Sequence, residues 1–476
     1  MKMKYTDWVL KHKRKGTAVH KIGENFYLYE VTSKWDKELK RARKITKGYL
    51  GRITPEGLKE PGYRINQPTT CREYGASLFL MKENKEIMER LKKYFPSWWK
   101  ELFALSAFRL LHQCPLKHME LHYQDSWVSE ELPAASLSKN ILHQILEAVG
   151  RKRETIIEFL RGFICGSENL LIDLTHVFSL SEGMILTEKG YNNQLDFTSQ
   201  VNLLFIFSLD QKFPLFYRIL PGNVRDVNSL KTTIQESGLR DVIIIGDKGF
   251  YSEDNIGLLE KEGLQYILPL KRNNNLIDYR ILREGTKRSC EGYFKFKKRF
   301  IWYYRCGNKR LPVWVFLDGS LKAEEGQDYL GRIESHPEFG YTIENFHQRQ
   351  HTFGTIALIT NLKELIAQKV FKYFKSRVSI EQMFDTFKNT LEADRSYMRS
   401  DYSMEGWMFI NYLSLVYYYK IYQQLIGKDL LSRYSPLDVL LCLSRYRRVK
   451  VSTRWLDLEI PKQTRKLIEI FDLHIT

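Results

Sequence analysis

Between residues 170 and 246 the chain strings together apolar runs of strand length around a single helical stretch, and that order limits its fold more than any other feature. Leu170-Leu-Ile-Asp173-Leu-Thr-His-Val-Phe178, Val201-Asn-Leu-Leu-Phe-Ile-Phe207 and Phe213-Pro-Leu-Phe-Tyr-Arg-Ile-Leu220 come first. The turn Pro221-Gly-Asn223, a helix near Asn228 to Glu236 and the run Val242-Ile-Ile-Ile-Gly246 follow. Short runs rich in β-branched and aromatic residues, bounded by Gly, Pro and Asn, read as strands buried on both faces. Upstream the period is helical. Residues 83–113 carry apolar positions at Ile87, Met88, Leu91 and Tyr94. Leu137 to Val149 forms another helix, stopped by Gly150, and Glu154 to Leu160 resumes it. Two short helices around a glycine suit either a DNA-reading helix-turn-helix or a plain helical hairpin.

Three strands, a helix and a fourth strand match the opening of a ribonuclease-H-like sheet. The expected fold is therefore α/β, with a ribonuclease-H-like catalytic core: a mixed five-stranded sheet with flanking helices. A further strand, Gln265-Tyr-Ile-Leu-Pro-Leu270, precedes a stretch that alternates aromatic, basic and β-branched residues, as in Tyr293-Phe-Lys-Phe-Lys-Lys-Arg-Phe-Ile-Trp302 and Leu311-Pro-Val-Trp314. That stretch reads as a β-rich insertion, after which Gly354-Thr-Ile-Ala-Leu-Ile-Thr360 returns to the core. The expected division is 1–165, a basic, mainly helical N-terminal DNA-binding region; 166–275 and 353–427, the two parts of the core; 276–352, the insertion; and 428–476, a basic C-terminal region for dimerisation or DNA contact.

In open α/β sheets ligands gather beyond the carboxyl ends of the strands. Asp173 falls on the first strand and Asp247 directly after the fourth. A helix over 363–395 places Arg377, Glu381, Asp385 and Lys388 on one face at i, i+4, i+8 and i+11. Singly, each acid has a plain structural explanation: a strand end for Asp173, a turn for Asp247 before Lys248-Gly249, a surface salt-bridge ladder for Glu381. Together they suit phosphodiester chemistry, in which two or three carboxylates hold a pair of magnesium ions.

The charge agrees. The 476 residues carry a formal net charge of +18, which favours a polyanionic partner. Fifteen Lys/Arg against five Asp/Glu fall in the first fifty-two residues, interleaved with Trp8, Tyr27, Tyr29 and Trp35. Six cysteines without a CxxC pair give neither a zinc framework nor a disulfide scaffold, as expected in a reducing cytosol. The N-terminus lacks the apolar stretch of a signal peptide, and Trp407 to Tyr419 is too short to span a bilayer. A cytoplasmic, nucleoid-associated protein is expected, with no membrane partner.

With these residues in view, the chain resembles the DDE transposases of bacterial insertion sequences, in the hairpin-forming branch with a Tyr-Arg-Glu-Lys signature and a β-rich insertion. Arg377, Glu381 and Lys388 keep that signature's spacing. Phe374 stands at its tyrosine position, with Tyr373 one residue earlier, a departure that puts a hydroxyl contact from that position in question and leaves ring stacking open to it. Gly246-Asp247-Lys-Gly-Phe-Tyr-Ser252 resembles the family's second-aspartate segment and Pro221-Gly-Asn-Val-Arg-Asp226 its preceding turn. The resemblance covers residues 60–427.

It implies that Asp173, Asp247 and Glu381 bind the catalytic metal, two Mg2+ ions with Mn2+ able to substitute. Tyr373, Phe374, Arg377 and Lys388 would meet the DNA, and Trp302 or Trp314 would stack a displaced base unless ordinary β-core packing accounts for them. The implied activity is cut-and-paste transposition: binding of terminal inverted repeats on double-stranded DNA, strand cleavage and strand transfer into a target, by way of hairpin ends, by a homodimer pairing two ends. A catalytically inactive transposase-derived DNA-binding protein and a stand-alone ribonuclease-H-like nuclease are the alternatives.

Overall fold

A computed structural model describes residues 5–36, 40–60, 70–166, 169–179, 181, 183–189, 198–223, 226–284, 289–307, 311–336, 339–451 and 453–473. The chain divides into two units: residues 1–70 with 449–456, and residues 71–448 with 457–476. Val224 and Arg225 of the turn singled out above lie outside the described residues.

The basic N-terminal stretch is β-structure. Strands β1 (Thr17–Ile22), β2 (Asn25–Asp36), β3 (Arg41–Thr54) and β4 (Gly57–Lys59) form an antiparallel sheet in sequence order. Leu28 and Ile53 form its small core with Val9 from a one-turn helix, flanked by Tyr5, Trp8, Val19 and Phe26. The region 1–165, expected to be mainly helical, thus opens with a sheet, and its helices longer than one turn begin at Gly75. Alternation of single apolar residues with charges between 17 and 59 is a strand period, and only one face of the sheet is covered.

In the second unit, helices α1 (Trp99–His112), α2 (Lys139–Gly150) and α3 (Arg153–Arg161) precede a sheet of eleven strands among the described residues. Strands β5 (Asn169–Ser179), β6 (Ser199–Ser208) and β7 (Phe213–Pro221) run antiparallel to one another. Helix α4 (Asp226–Ser237) leads to β8 (Ile243–Ile245), which returns parallel to β5, and α5 (Glu253–Lys261) leads to β9 (Gln265–Pro269), parallel to β8. The spatial order is β7-β6-β5-β8-β9.

The alternating aromatic stretch does not form a separate lobe. Its strands β10 (Gly292–Phe296), β11 (Arg299–Gly307) and β12 (Pro312–Asp318) continue the same sheet. They join it through β13 (Thr355–Thr360), which pairs β12 on one side and β9 on the other. A helix, α6 (Gly319–Ser335), follows β12.

Helices α7 (Ala367–Lys375), α8 (Val378–Asp385) and α9 (Asp401–Gly427) close the core. The last is buried along almost its whole length, from Ser403 to Leu425. It packs on β7 and on α2, where two glycines let the backbones touch. A Cβ at Gly150 would stand 1.8 Å from the Tyr402 carbonyl oxygen, and one at Gly406 2.3 Å from that of Leu146. Helix α3 buries Ile156, Ile157, Phe159 and Leu160 and exposes Glu154 and Glu158. The apolar face of this helix is thus spent on packing, and on its exposed side Glu158 pairs with Arg161. No helix among the described residues is long and apolar enough to cross a membrane.

Glu73 sits fully buried ahead of the helix Gly75–Glu83. It accepts hydrogen bonds from the backbone N–H of Ala76 and Ser77 and from the Ser77 hydroxyl. Burial outweighs these bonds and pushes its carboxyl up from 4.5 to about 7. The folded state then binds the proton more tightly than the unfolded one, so this group's contribution to stability falls as pH rises from 4.5 through 7 and is level outside that window. The expected loss is about 3 kcal/mol. Glu73→Gln should flatten that part of the pH dependence in urea unfolding, whatever its effect on the absolute level; an unchanged slope would clear Glu73 of the effect.

Candidate active site

Asp173 lies within β5, not at its end, paired across to Phe205 of β6. Asp247 stands two residues beyond β8, at the start of the turn Lys248–Phe250. Because Ile245 of β8 pairs with Leu171 of β5, two further residues on each parallel strand bring Asp247 alongside Asp173. Neighbouring strands are roughly 4.8 Å apart, so the two carboxylates must be paired or neutralised by something between them. A Cβ on Gly246 would stand 2.9 Å from Leu268, which explains the smallest residue just before the acid.

Arg377 supplies the charge. It caps α8 from the bend after α7 and reaches both acids, with one guanidinium nitrogen 2.7 Å from Asp247 Oδ1 and the other 2.9 Å from Asp173 Oδ2. Its side chain is 14% exposed against 15% for Asp173 and 36% for Asp247, so the Asp173 bond is the drier one. Burial pushes the Asp173 carboxyl up to about 6 even though Arg377 pulls the other way. Burial also opposes the arginine's charge, but the two carboxylates outweigh it and raise its pKa. Arg377 Nε is buried without a hydrogen-bond partner, and the guanidinium lies 5.8 Å from the centre of the Phe374 ring. The ring at the signature's tyrosine position therefore backs the arginine.

Glu381 lies one turn further along α8, which packs on β5, and its side chain is exposed. It makes no side-chain hydrogen bond or ion pair among the described residues; Lys375 is close enough to feel its charge. Among the described residues no group of three His, Cys, Asp or Glu side chains is arranged to hold a metal ion. Two of the expected carboxylates have thus converged on a guanidinium, and the third stands on the adjoining helix.

The expected single face of Arg377, Glu381, Asp385 and Lys388 is not present. Helix α8 ends at Asp385, and Thr386–Thr390 form a π-helical turn that adds a residue and shifts the phase. Asp385 accepts a hydrogen bond from Asn389 at 2.6 Å. Lys388 lines a cleft of about 950 Å³ together with Arg109, Lys117, Arg395, Tyr397 and Trp407. Burial lowers its pKa, with Asp394 opposing.

Arg109 was not singled out by the sequence. It is buried on α1 and donates to Asn411 of α9 and to the carbonyls of Cys114, Leu391 and Glu392, tying down the chain just after the π-turn. The available signal was one cation inside the apolar run Leu102-Phe-Ala-Leu-Ser-Ala-Phe-Arg-Leu-Leu111. Trp302 and Trp314 lie on opposite faces of the sheet, since Trp302 pairs with Leu317 and Trp314 with Arg305 on adjacent strands. Trp302 packs against Tyr293 and Trp314 against Tyr303, so one extruded base could not stack on both. Tyr373 is partly buried on α7.

With this geometry in place, comparison with known proteins adds two likenesses. The chain is similar to the piggyBac transposase of a cryo-EM structure of its synaptic complex with hairpin DNA, at 9% sequence identity and a TM-score of 0.39, over 83% of this chain and 70% of that one. Among curated proteins no sequence matches. Residues 183–417 match the family described as the transposase DDE domain, a stretch that contains Asp247, Arg377, Glu381 and Lys388 and begins just after Asp173. Over those residues, just under half of the chain, the sequence is similar to that family.

Proposed function

We propose that the protein is a DNA transposase that cuts and joins phosphodiesters at the ends of its own mobile element, with Asp173, Asp247 and Glu381 as its metal-holding carboxylates. The observation that carries this reading is the pair Asp173, on β5, and Asp247, just beyond the parallel neighbouring strand β8, both bonded to Arg377 in a sheet ordered β7-β6-β5-β8-β9. Three antiparallel strands followed by two parallel ones is the arrangement of a ribonuclease-H-like core, and a helix packed on β5 carries Glu381. The donor set fits a hard divalent cation: carboxylate oxygens, no thiol or imidazole, and a cationic group already balancing two of them. Bound there, magnesium would lower the pKa of an attacking water or 3′-hydroxyl and stabilise the leaving oxygen.

This chain's own residues do the rest. Arg377, at the start of α8, and Lys388, within the π-turn that follows it, offer positive charge before and after Glu381 in the chain, where DNA strands approaching Glu381 would pass. A homodimer that pairs two ends, and a cut-and-paste route through hairpins, follow from the resemblance to the hairpin-forming transposases. An inactive descendant is disfavoured because all three acids are present. The test is a labelled DNA carrying the inverted repeats that bracket the gene. Magnesium-dependent nicking at the repeat boundary is expected, and cleavage of unrelated DNA with equal efficiency would instead favour a general nuclease.

The exposed hairpin of β2 and β3 should contribute to DNA affinity through its charge. Deletion would cut through the sheet, so the cleaner variant neutralises Arg41, Arg43 and Lys44, all exposed, to glutamine. Each lost phosphate contact should reduce the slope of log affinity against log salt by about 0.9. An unaltered slope would leave this hairpin as a solvated arm.

A further inference from the structure

The N-terminal sheet has two unlike faces. Cross-strand register puts Phe26, Leu28 and Ile53 on the covered face and Ala18, His20, Tyr27, Tyr29, Tyr49 and Arg52 on the other. Bulges between Leu28 and Tyr29 and between Glu30 and Val31 keep the alternation in phase along both long strands. The rings form a continuous ladder: His20 to Tyr29 at 4.9 Å, Tyr29 to Tyr49 at 5.2 Å, Tyr49 to Tyr27 at 6.0 Å between centroids. Tyr49 is 38% exposed, and Trp35, further out on the same face, is 62% exposed beside Ala42.

Charge on this face has one sign. Register adds Arg52 opposite Tyr27, Lys59 opposite Arg52 and Lys44 opposite Ser33. No strand position on it, among the described residues, is an Asp or Glu; Glu30 and Asp36 belong to the covered face. Burial does not need these tyrosines, because the small core lies on the other side. A row of partly exposed rings flanked by cations matches unpaired bases on a phosphate backbone: each base has a π-face to offer and each phosphate a charge. A duplex has its bases stacked inside and would leave the rings idle.

We propose that this face is a stacking platform for single-stranded DNA, with Tyr27, Tyr29 and Tyr49 under successive bases, His20 extending the row, and Arg52, Lys59 and Lys44 along the backbone. The platform is independent of the strand-cutting chemistry proposed above, since it lies in a unit that contains none of the three acids.

The experiment uses the full chain bearing Asp247→Ala, so that cleavage cannot consume the probe. Fluorescence anisotropy compares a labelled oligo(dT), the same length of abasic phosphodiester strand, the same length of oligo(rU), and a duplex. The platform predicts binding of oligo(dT) at least about ten-fold tighter than the abasic strand, which has the same charge. Tyr49→Leu and Tyr29→Leu should each weaken oligo(dT) binding about five-fold or more with an unchanged salt slope, while Tyr49→Phe keeps it. Arg52→Gln should instead lower the salt slope. Equal binding of the dT and abasic strands, or leucine variants that match the parent, would overturn the proposal. Tighter binding of oligo(rU) than of oligo(dT) would overturn its assignment to DNA.

Discussion

Asp247→Ala is expected to remove strand cleavage by at least about a thousand-fold, the scale seen when one member of a catalytic group is deleted, while DNA binding survives. The side chain projects beyond β8 where no core packing depends on it, and it is 36% exposed. Its loss leaves Arg377 paired to Asp173 alone, so the fold keeps a balanced charge in its drier half. Glu381→Ala should cost a similar factor with even less effect on stability, because its exposed side chain makes no hydrogen bond or ion pair among the described residues. The assay is single-turnover nicking of element-end DNA with magnesium, beside a binding measurement on the same DNA. Cleavage by both variants within ten-fold of the parent would remove these acids from the chemistry. Asp385 and Glu392 would then be the acids to test, although Asp385 is already bound to Asn389.

The parts of the fold that could be read from the sequence are those whose burial leaves a local pattern. Strands β5, β6 and β7 are largely covered on both faces, so each appears as a mostly apolar run, and the predicted limits fall within about two residues of those observed. Asp173 and Asp247 stood out because they interrupt or end such runs. What the sequence does not encode locally is which edge a strand joins. The stretch from Gly292 to Asp318 has the same alternation whether it folds as a lobe or extends the core. Its place was decided by β13, some forty residues downstream of β12. The ladder over Arg377 to Lys388 failed for a related reason: helical spacing assumes an unbroken α-helix, and the π-turn at Thr386–Thr390 changes the phase inside the motif. Least legible was the partner of Arg377, since its two bonds span 130 and 204 residues of chain.

Arg377 occupies the space between two carboxylates that a divalent cation would also seek, and that rivalry has a measurable consequence. Arg377→Gln leaves Asp173 and Asp247 adjacent and unbalanced. Breaking a fully buried pair costs about 3–5 kcal/mol. Asp247 is more than a third exposed, so solvent screening reduces the expected loss to about 2 kcal/mol in the absence of metal. Manganese or magnesium should restore much of that loss, because the ion now meets two free carboxylates instead of displacing a guanidinium. Metal-dependent stabilisation grows as RT ln(1 + [L]/Kd), so a ten-fold tighter site adds about 1.4 kcal/mol once the ion is in excess. The variant should therefore be the less stable protein in chelator and gain more than the parent as Mn2+ is titrated, with no DNA present. Arg377→Lys, a point charge without the two-pronged fork, should fall between them. Equal gains for parent and Arg377→Gln would mean that the ion and the guanidinium do not compete for the two acids. Nicking by Arg377→Gln adds a second readout. If the arginine only balanced charge in the resting protein, cleavage would persist at saturating metal; if it also holds the DNA phosphate, cleavage would stay low while metal affinity rose.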